Sequence, residues 1–163
     1  MNLKPETLSE IDRLIPRYPE LRSAMLPILH LVQKEQGFIS KEAMQWVADK
    51  LEVQPIDVYG VVSFYPFFRE RPIGKHYIRL CRTLSCALNG SYVLVEAIKR
   101  EFGCDLNKTS DDGLFTLEFA ECLASCGSGP VMMIDDDLYD HLTEEKIKEL
   151  ANEYRARAQK SND

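Results

Sequence analysis

The chain has 163 residues, 45% of them hydrophobic, and a net charge of −6. That length suits one ordinary domain or two small modules with a real core, and the acidic balance argues against nucleic acid as a partner. No apolar run reaches the ~20 residues needed to cross a bilayer, so direct membrane insertion is not expected.

The opening segment MNLKPETLSEIDRL is acidic where a signal peptide would be apolar, and too acidic for a transit peptide. The expected compartment is the cytoplasm. Charge is unevenly placed. Residues 1–74 carry 9 Lys/Arg against 10 Asp/Glu, and residues 75–163 carry 11 against 16. The two halves therefore present different surfaces.

The first half reads as helices. Ile11, Leu14 and Ile15 mark a short amphipathic opening. Leu21, Met25, Ile28, Leu29 and Val32 share one helical face. Pro27 inside that run predicts a kink or the true helix start, and Gly37 predicts its end. Ser40 is placed to cap a helix carrying Met44, Val47, Ala48 and Leu51. Pro55 suits the first turn of another, running through Val58, Val61 and Val62. The aromatics Phe64, Tyr65, Phe67 and Phe68 follow and are read as packing residues between the helices and the next module.

Residues 70–75 (ERPIGK) read as a linker. His76–Cys81 reads as a strand, residues 85–102 as one helix with Leu88, Val95, Ile98 and Phe102 on one face. Asp111-Asp112-Gly113 signals a turn before a strand at Leu114–Phe119. Pro130 introduces the apolar run Val131–Ile134, and residues 135–137 turn the chain toward Leu138–His141. Thr143 is expected to cap a last helix carrying Ile147, Leu150, Ala151 and Tyr154, with Glu144 and Glu145 favourable in its first turn. The polar tail after Ala156 is expected to fray. The second module is then β-α-β-β-β-α, compatible with a small α/β sheet of thioredoxin type.

Four of the five cysteines stand in two pairs. Cys81 and Cys86 are spaced C-x4-C, and Cys122 and Cys126 C-x3-C. Each pair lies near a predicted strand end, so neighbouring strands would bring four thiols together. Without an export signal, a disulfide framework is disfavoured. No C-x-x-C is present for thiol catalysis. Four thiolates satisfy a [2Fe–2S] cluster, two per iron. A structural four-cysteine zinc site is the alternative, although such sites favour shorter C-x2-C loops. Small residues (Ser85, Ala87, Ala124, Ser125, Gly127, Ser128, Gly129) would let backbone N–H groups approach the sulfurs. A helix N-terminus behind Cys86 would favour negative charge, and Arg82 would raise the reduction potential through its own charge. Cys104 lies outside both pairs and reads as a buried or half-buried free thiol. His30, His76 and His141 form no cluster and read as structural. No dinucleotide, phosphate-loop or nucleophile motif is present.

C-x4-C followed by Glu121-Cys122-Leu123-Ala124-Ser125-Cys126 resembles the thioredoxin-like [2Fe–2S] ferredoxins. Tyr18-Pro19, Gln36-Gly37-Phe38-Ile39 and Val61-Val62-Ser63-Phe64-Tyr65 are similar to the helical N-terminal part of the [2Fe–2S] subunit of this family in bacterial NADH:quinone oxidoreductase, respiratory complex I. The resemblance spans residues 10–155. It departs at Ala124-Ser125, where Gly-Ala is common.

The resemblance implies an α+β fold, with an N-terminal helical bundle (residues 1–72) followed by a thioredoxin-like α/β domain (73–163). The implied cluster ligands are Cys81, Cys86, Cys122 and Cys126, with Cys104 left out. The implied role is a non-catalytic electron-transfer subunit of an NADH dehydrogenase complex. FMN, NAD and a [4Fe–4S] cluster would belong to a larger partner subunit, on the cytoplasmic side of a membrane. The same family also serves NAD-linked and electron-bifurcating hydrogenases and NAD-linked formate dehydrogenases. A stand-alone ferredoxin and a zinc-stabilised interaction module remain as other readings.

Overall fold

A computed structural model describes residues 1–160. It divides into two compact units, Met1–Pro72 and Ile73–Asp163.

The first unit is helical: α1 (Pro5–Leu14), α2 (Met25–Gln36), α3 (Lys41–Leu51) and α4 (Pro55–Phe64), with short 3-10 turns at Ile15–Arg17 and Leu21–Ala24. Local chemistry sets the boundaries. Pro27 is the third residue of α2, in the first turn, where an N–H has no intrahelical acceptor to lose. It marks the helix start and leaves Leu21 outside, exposed on the 3-10 turn. Gly37 ends α2 at φ 83°, its N–H donating to Gln33 O. Ser40 Oγ accepts from Ala43 N at 3.1 Å and caps α3. Pro55 occupies the first turn of α4, and Gln54 N donates to Asp57 Oδ2 at 3.3 Å. Ile11, Ile28, Leu29, Val32, Ile39, Val47, Leu51 and Val58 form the core. Gln33 ties down the chain after α4. Its Nε2 donates to Phe67 O at 2.8 Å, and its Oε1 accepts from Arg69 N at 2.7 Å. Of the aromatics, Phe68 enters this unit's own core while Phe64 is exposed.

The second unit is a five-stranded sheet with order β2-β3-β1-β4-β5. Its elements are β1 (His76–Cys81), α5 (Leu84–Leu88), α6 (Ser91–Phe102), β2 (Lys108–Thr109), β3 (Phe115–Ala120), β4 (Met132–Ile134), β5 (Asp137–Tyr139) and α7 (Glu144–Lys160). Strands β1 and β3 pair in parallel, whereas β2–β3, β1–β4 and β4–β5 are antiparallel. Ile78, Leu80, Phe115, Leu117, Met132 and Ile134 pack from the strands against Ile98 and Phe102 of α6 and Ile147 and Ala151 of α7. Thr143 Oγ1 accepts from Lys146 N at 3.2 Å and starts α7. This is the expected α+β class, helices first and then a thioredoxin-like sheet unit.

Three local expectations are corrected. The single helix over residues 85–102 is two helices, because Gly90 adopts φ 93° and breaks the ladder between them. Leu88 consequently leaves the core face and is 79% exposed. Strand β2 has no apolar alternation to reveal it; two polar residues pair with β3 through their backbones. Helix α7 continues past Ala156 to Lys160 instead of fraying there. The last part of that tail lies outside the described residues. Among the described residues no helix is long and apolar enough to cross a membrane.

Candidate metal centre

Parallel pairing brings the two cysteine motifs together. In the β1–β3 register Cys81 sits opposite Ala120, so both strands end side by side. The last links are Arg82 N to Ala120 O at 3.0 Å and Cys81 N to Val131 O at 3.1 Å. Past β1 the chain turns through Arg82 and Thr83 into α5, which carries Cys86. Past β3 it enters the loop of Cys122, turns at Ala124 with φ 57°, and reaches Cys126 at a 3-10 turn, Cys126–Ser128. A cis Gly129–Pro130 bond then leads toward β4.

Side chains knit the two loops. Ser85 Oγ donates to Cys126 O at 2.7 Å, and Asn89 Nδ2 donates to Ser85 O at 2.7 Å. Cys81, Cys86 and Val131 form a small buried cluster with Leu123 against it. Gly129 lies close to a ligand: a Cβ there would stand 3.3 Å from Cys86 Sγ, a tight contact.

The four thiols form an inner and an outer pair. Cys81 and Cys86 are 2% and 1% exposed, whereas Cys122 and Cys126 face solvent. Burial opposes ionisation of Cys81, but hydrogen bonding from Thr83, Leu123 and Cys86 outweighs it and holds the thiol below its ordinary value. Burial, then the interaction with Cys81, pushes Cys86 up. The charge of Cys122 and its hydrogen bond push Cys126 up. Ala124 N donates to Cys122 Sγ at 3.4 Å. Cys86 and Cys126, whose neighbouring thiols raise their proton affinity, are donors that suit a positive centre.

The two cysteine pairs can supply two sulfurs to each of two metal ions. The thiols interact within each pair, Cys81 with Cys86 and Cys122 with Cys126, and also across them, Cys126 with both Cys81 and Cys86. A four-cysteine zinc site needs all four sulfurs around one centre. A [2Fe–2S] cluster needs two at each iron.

The other candidates fall elsewhere. Cys104 is 4% exposed in the sheet unit's core, and burial pushes its thiol up to about 11. His76 Nδ1 lies 2.7 Å from Asp135 Oδ2, and His30 stacks on Phe67 at 4.9 Å within the helical unit. His141 has φ 44°, and its N–H donates to Ser128 O. The helix that carries Cys86 has only five residues, too short for the macrodipole expected there, and the backbone hydrogen bond that favours the Cys86 thiolate comes from Val131. Arg82 is not a lone charge. Its Nε donates to Glu121 Oε1 at 2.9 Å, and its guanidinium lies over the Phe119 ring. Sequence reasoning missed Glu121 as its counter-ion. It also missed Thr83, whose Oγ1 is 3.3 Å from Cys81 Sγ. A hydroxyl inside the C-x4-C loop was the available signal.

The sequence model described as thioredoxin-like [2Fe–2S] ferredoxin matches residues 11–155. The chain is 38% identical over 152 residues to a subunit of the NADH-quinone oxidoreductase of Rickettsia felis, covering 91% of each protein. It is 34% identical over 156 residues to the subunit of the same name from Mycobacterium tuberculosis, covering 93% of this chain and 62% of the relative. The chain thus spans less than two thirds of the mycobacterial relatives. Among solved structures, an NAD+-reducing [NiFe]-hydrogenase in the air-oxidised state shares the fold at a TM-score of 0.68 and 17% identity, over 82% of this chain and 23% of the other.

Proposed function

The chain belongs to the thioredoxin-like [2Fe–2S] ferredoxin family, and on that premise we propose that it is an electron-transfer subunit whose [2Fe–2S] cluster is held by Cys81, Cys86, Cys122 and Cys126 beside a flavin-bearing, NADH-oxidising partner. The observation that carries the reading is the convergence of two cysteine pairs at the shared end of β1 and β3. Bound there, the cluster supplies a one-electron acceptor and donor. The protein's own contribution is to fix the sulfurs. Ser85 clasps one ligand loop to the other, Gly129 leaves space for Cys86, and Ala124 N–H and the Thr83 hydroxyl meet sulfur. The sheet unit, residues 73–163, is the cluster domain, and the helical unit, residues 1–72, serves attachment. In support, α4 leaves Ile56, Tyr59 and Phe64 exposed, more apolar surface on one helix than a diffusing carrier needs.

The parent assembly is an NADH:quinone oxidoreductase, with FMN, the NADH site and a [4Fe–4S] cluster in the larger partner subunit. Named relatives support this assignment. The test is to isolate the protein from its own cells under mild conditions. A stoichiometric FMN-containing partner, and an NADH-dependent EPR signal from the cluster, are expected. A flavin-free monomer that NADH does not reduce would refute the assignment and leave a free ferredoxin.

A further inference from the structure

Thr83 occupies the N-cap position of α5, with extended backbone at φ −76° and ψ 168°. A threonine there ordinarily turns its hydroxyl to the helix N–H groups. This one makes no such bond. Its Oγ1 lies 3.3 Å from Cys81 Sγ instead. The other hydroxyls of the two ligand loops are engaged elsewhere: Ser85 with Cys126 O, and Ser125 with Ser128 at 2.7 Å.

Building on the assignment of Cys81 as a ligand, we propose that Thr83 is a positioning residue that raises the cluster's reduction potential by donating its hydroxyl hydrogen bond to the Cys81 sulfur.

Ligation fixes the direction of that bond. A metal-bound thiolate has no proton, so it only accepts, and the hydroxyl must donate. The contact between Cys81 Sγ and Glu121 O at 3.5 Å works the other way. It is a hydrogen bond only while the thiol keeps its proton. On ligation that bond is lost, a carbonyl faces an anionic sulfur, and the Thr83 hydroxyl is the side-chain donor that offsets it. Cys81 is buried, so water cannot take the hydroxyl's place, and a hydrogen bond is worth more in that low dielectric. Reduction takes a four-thiolate [2Fe–2S] centre from about −2 to about −3 in formal charge. A donor aimed at a ligand sulfur stabilises the more negative state more, which moves the potential up.

The test is an EPR-monitored redox titration with dithionite on the full chain, comparing wild type with Thr83→Val, Thr83→Ala and Thr83→Ser. The two variants without a hydroxyl are expected to shift the one-electron equilibrium about tenfold toward the oxidised form, about 59 mV downward. Thr83→Ser is expected to restore most of it. An unchanged or higher potential in Thr83→Val or Thr83→Ala, with the visible spectrum intact, overturns the proposal. So does a serine variant that falls as far as valine. Iron and sulfide analysis of the wild type separates this from the parent reading: a cluster with an unmoved potential defeats Thr83 alone, whereas a sulfide-free protein defeats both.

Discussion

Gly127 and Gly129 are close in sequence but unlike in surroundings, and together they give a sharp test of the site. At Gly129 an added Cβ would lie 3.3 Å from Cys86 Sγ and 3.5 Å from Cys86 Cα; at Gly127 it would meet nothing within 4 Å. Neither backbone is in the left-handed region, so strain differs only through packing. Gly129→Ala must push Cys86 aside by a few tenths of an ångström, and overpacking of that kind costs about 1–3 kcal/mol. Gly127→Ala should be neutral or stabilise slightly, by about 0.4–1 kcal/mol, through the unfolded chain. If opening of the loop releases the strain, the visible absorbance of Gly129→Ala should bleach at least about fivefold faster at fixed temperature, since about 1.4 kcal/mol is a factor of ten in rate. The assay is the half-time of that absorbance in air-free buffer. Far-UV circular dichroism should stay unchanged in both variants and exclude unfolding of the sheet unit, while Trp46, the sole tryptophan, reports only on the helical unit. Equal half-times for the two variants, or a faster loss in Gly127→Ala, would refute the packing account of Cys86.

Other contacts lead to further outcomes. Ser85→Ala removes the hydroxyl bridge between the ligand loops; a lost hydrogen bond costs about 0.5–1.5 kcal/mol, and cluster release to an iron chelator should quicken by about two- to tenfold. Arg82→Ala should lower the reduction potential and Glu121→Gln raise it, with the double variant near wild type, because the two side chains offset each other; redox titration with a rise in Arg82→Ala contradicts this. Burial raises the Cys104 thiol from its ordinary 9.0 to about 11, so the unfolded chain loses that proton first. Its contribution to stability is full below pH 9 and is lost as pH climbs toward 11. Urea melts of wild type and Cys104→Ala should converge over that window, and parallel pH profiles would refute it.

Much of the fold was legible because it rests on local chemistry. Ser40, Pro55 and Thr143 announce helix starts through a hydroxyl acceptor or a preset φ, and each stands where expected. Strand β1 was legible from Tyr77, Ile78 and Leu80, closed by Cys81. What escaped depends on distant partners. The two residues of β2 make sense only beside β3, to which they bond through backbone groups that carry no side-chain pattern. The break at Asn89-Gly90 was hidden because a glycine inside a helical pattern is often tolerated. At the site, the four cysteines were visible from spacing. Gly129 was visible as a small residue near the ligands, whereas the roles of Thr83 and Glu121 were not, since they arise from side-chain contacts that spacing does not show.

Four particular sulfurs holding a two-iron cluster are the centre of this account. Iron and acid-labile sulfide, counted per chain in wild type and in five single Cys→Ala variants, test it most directly. About two of each are expected in wild type and in Cys104→Ala, and a loss of both in the variants of Cys81, Cys86, Cys122 and Cys126. One zinc per chain without sulfide, or full iron after removal of any of those four, would contradict it.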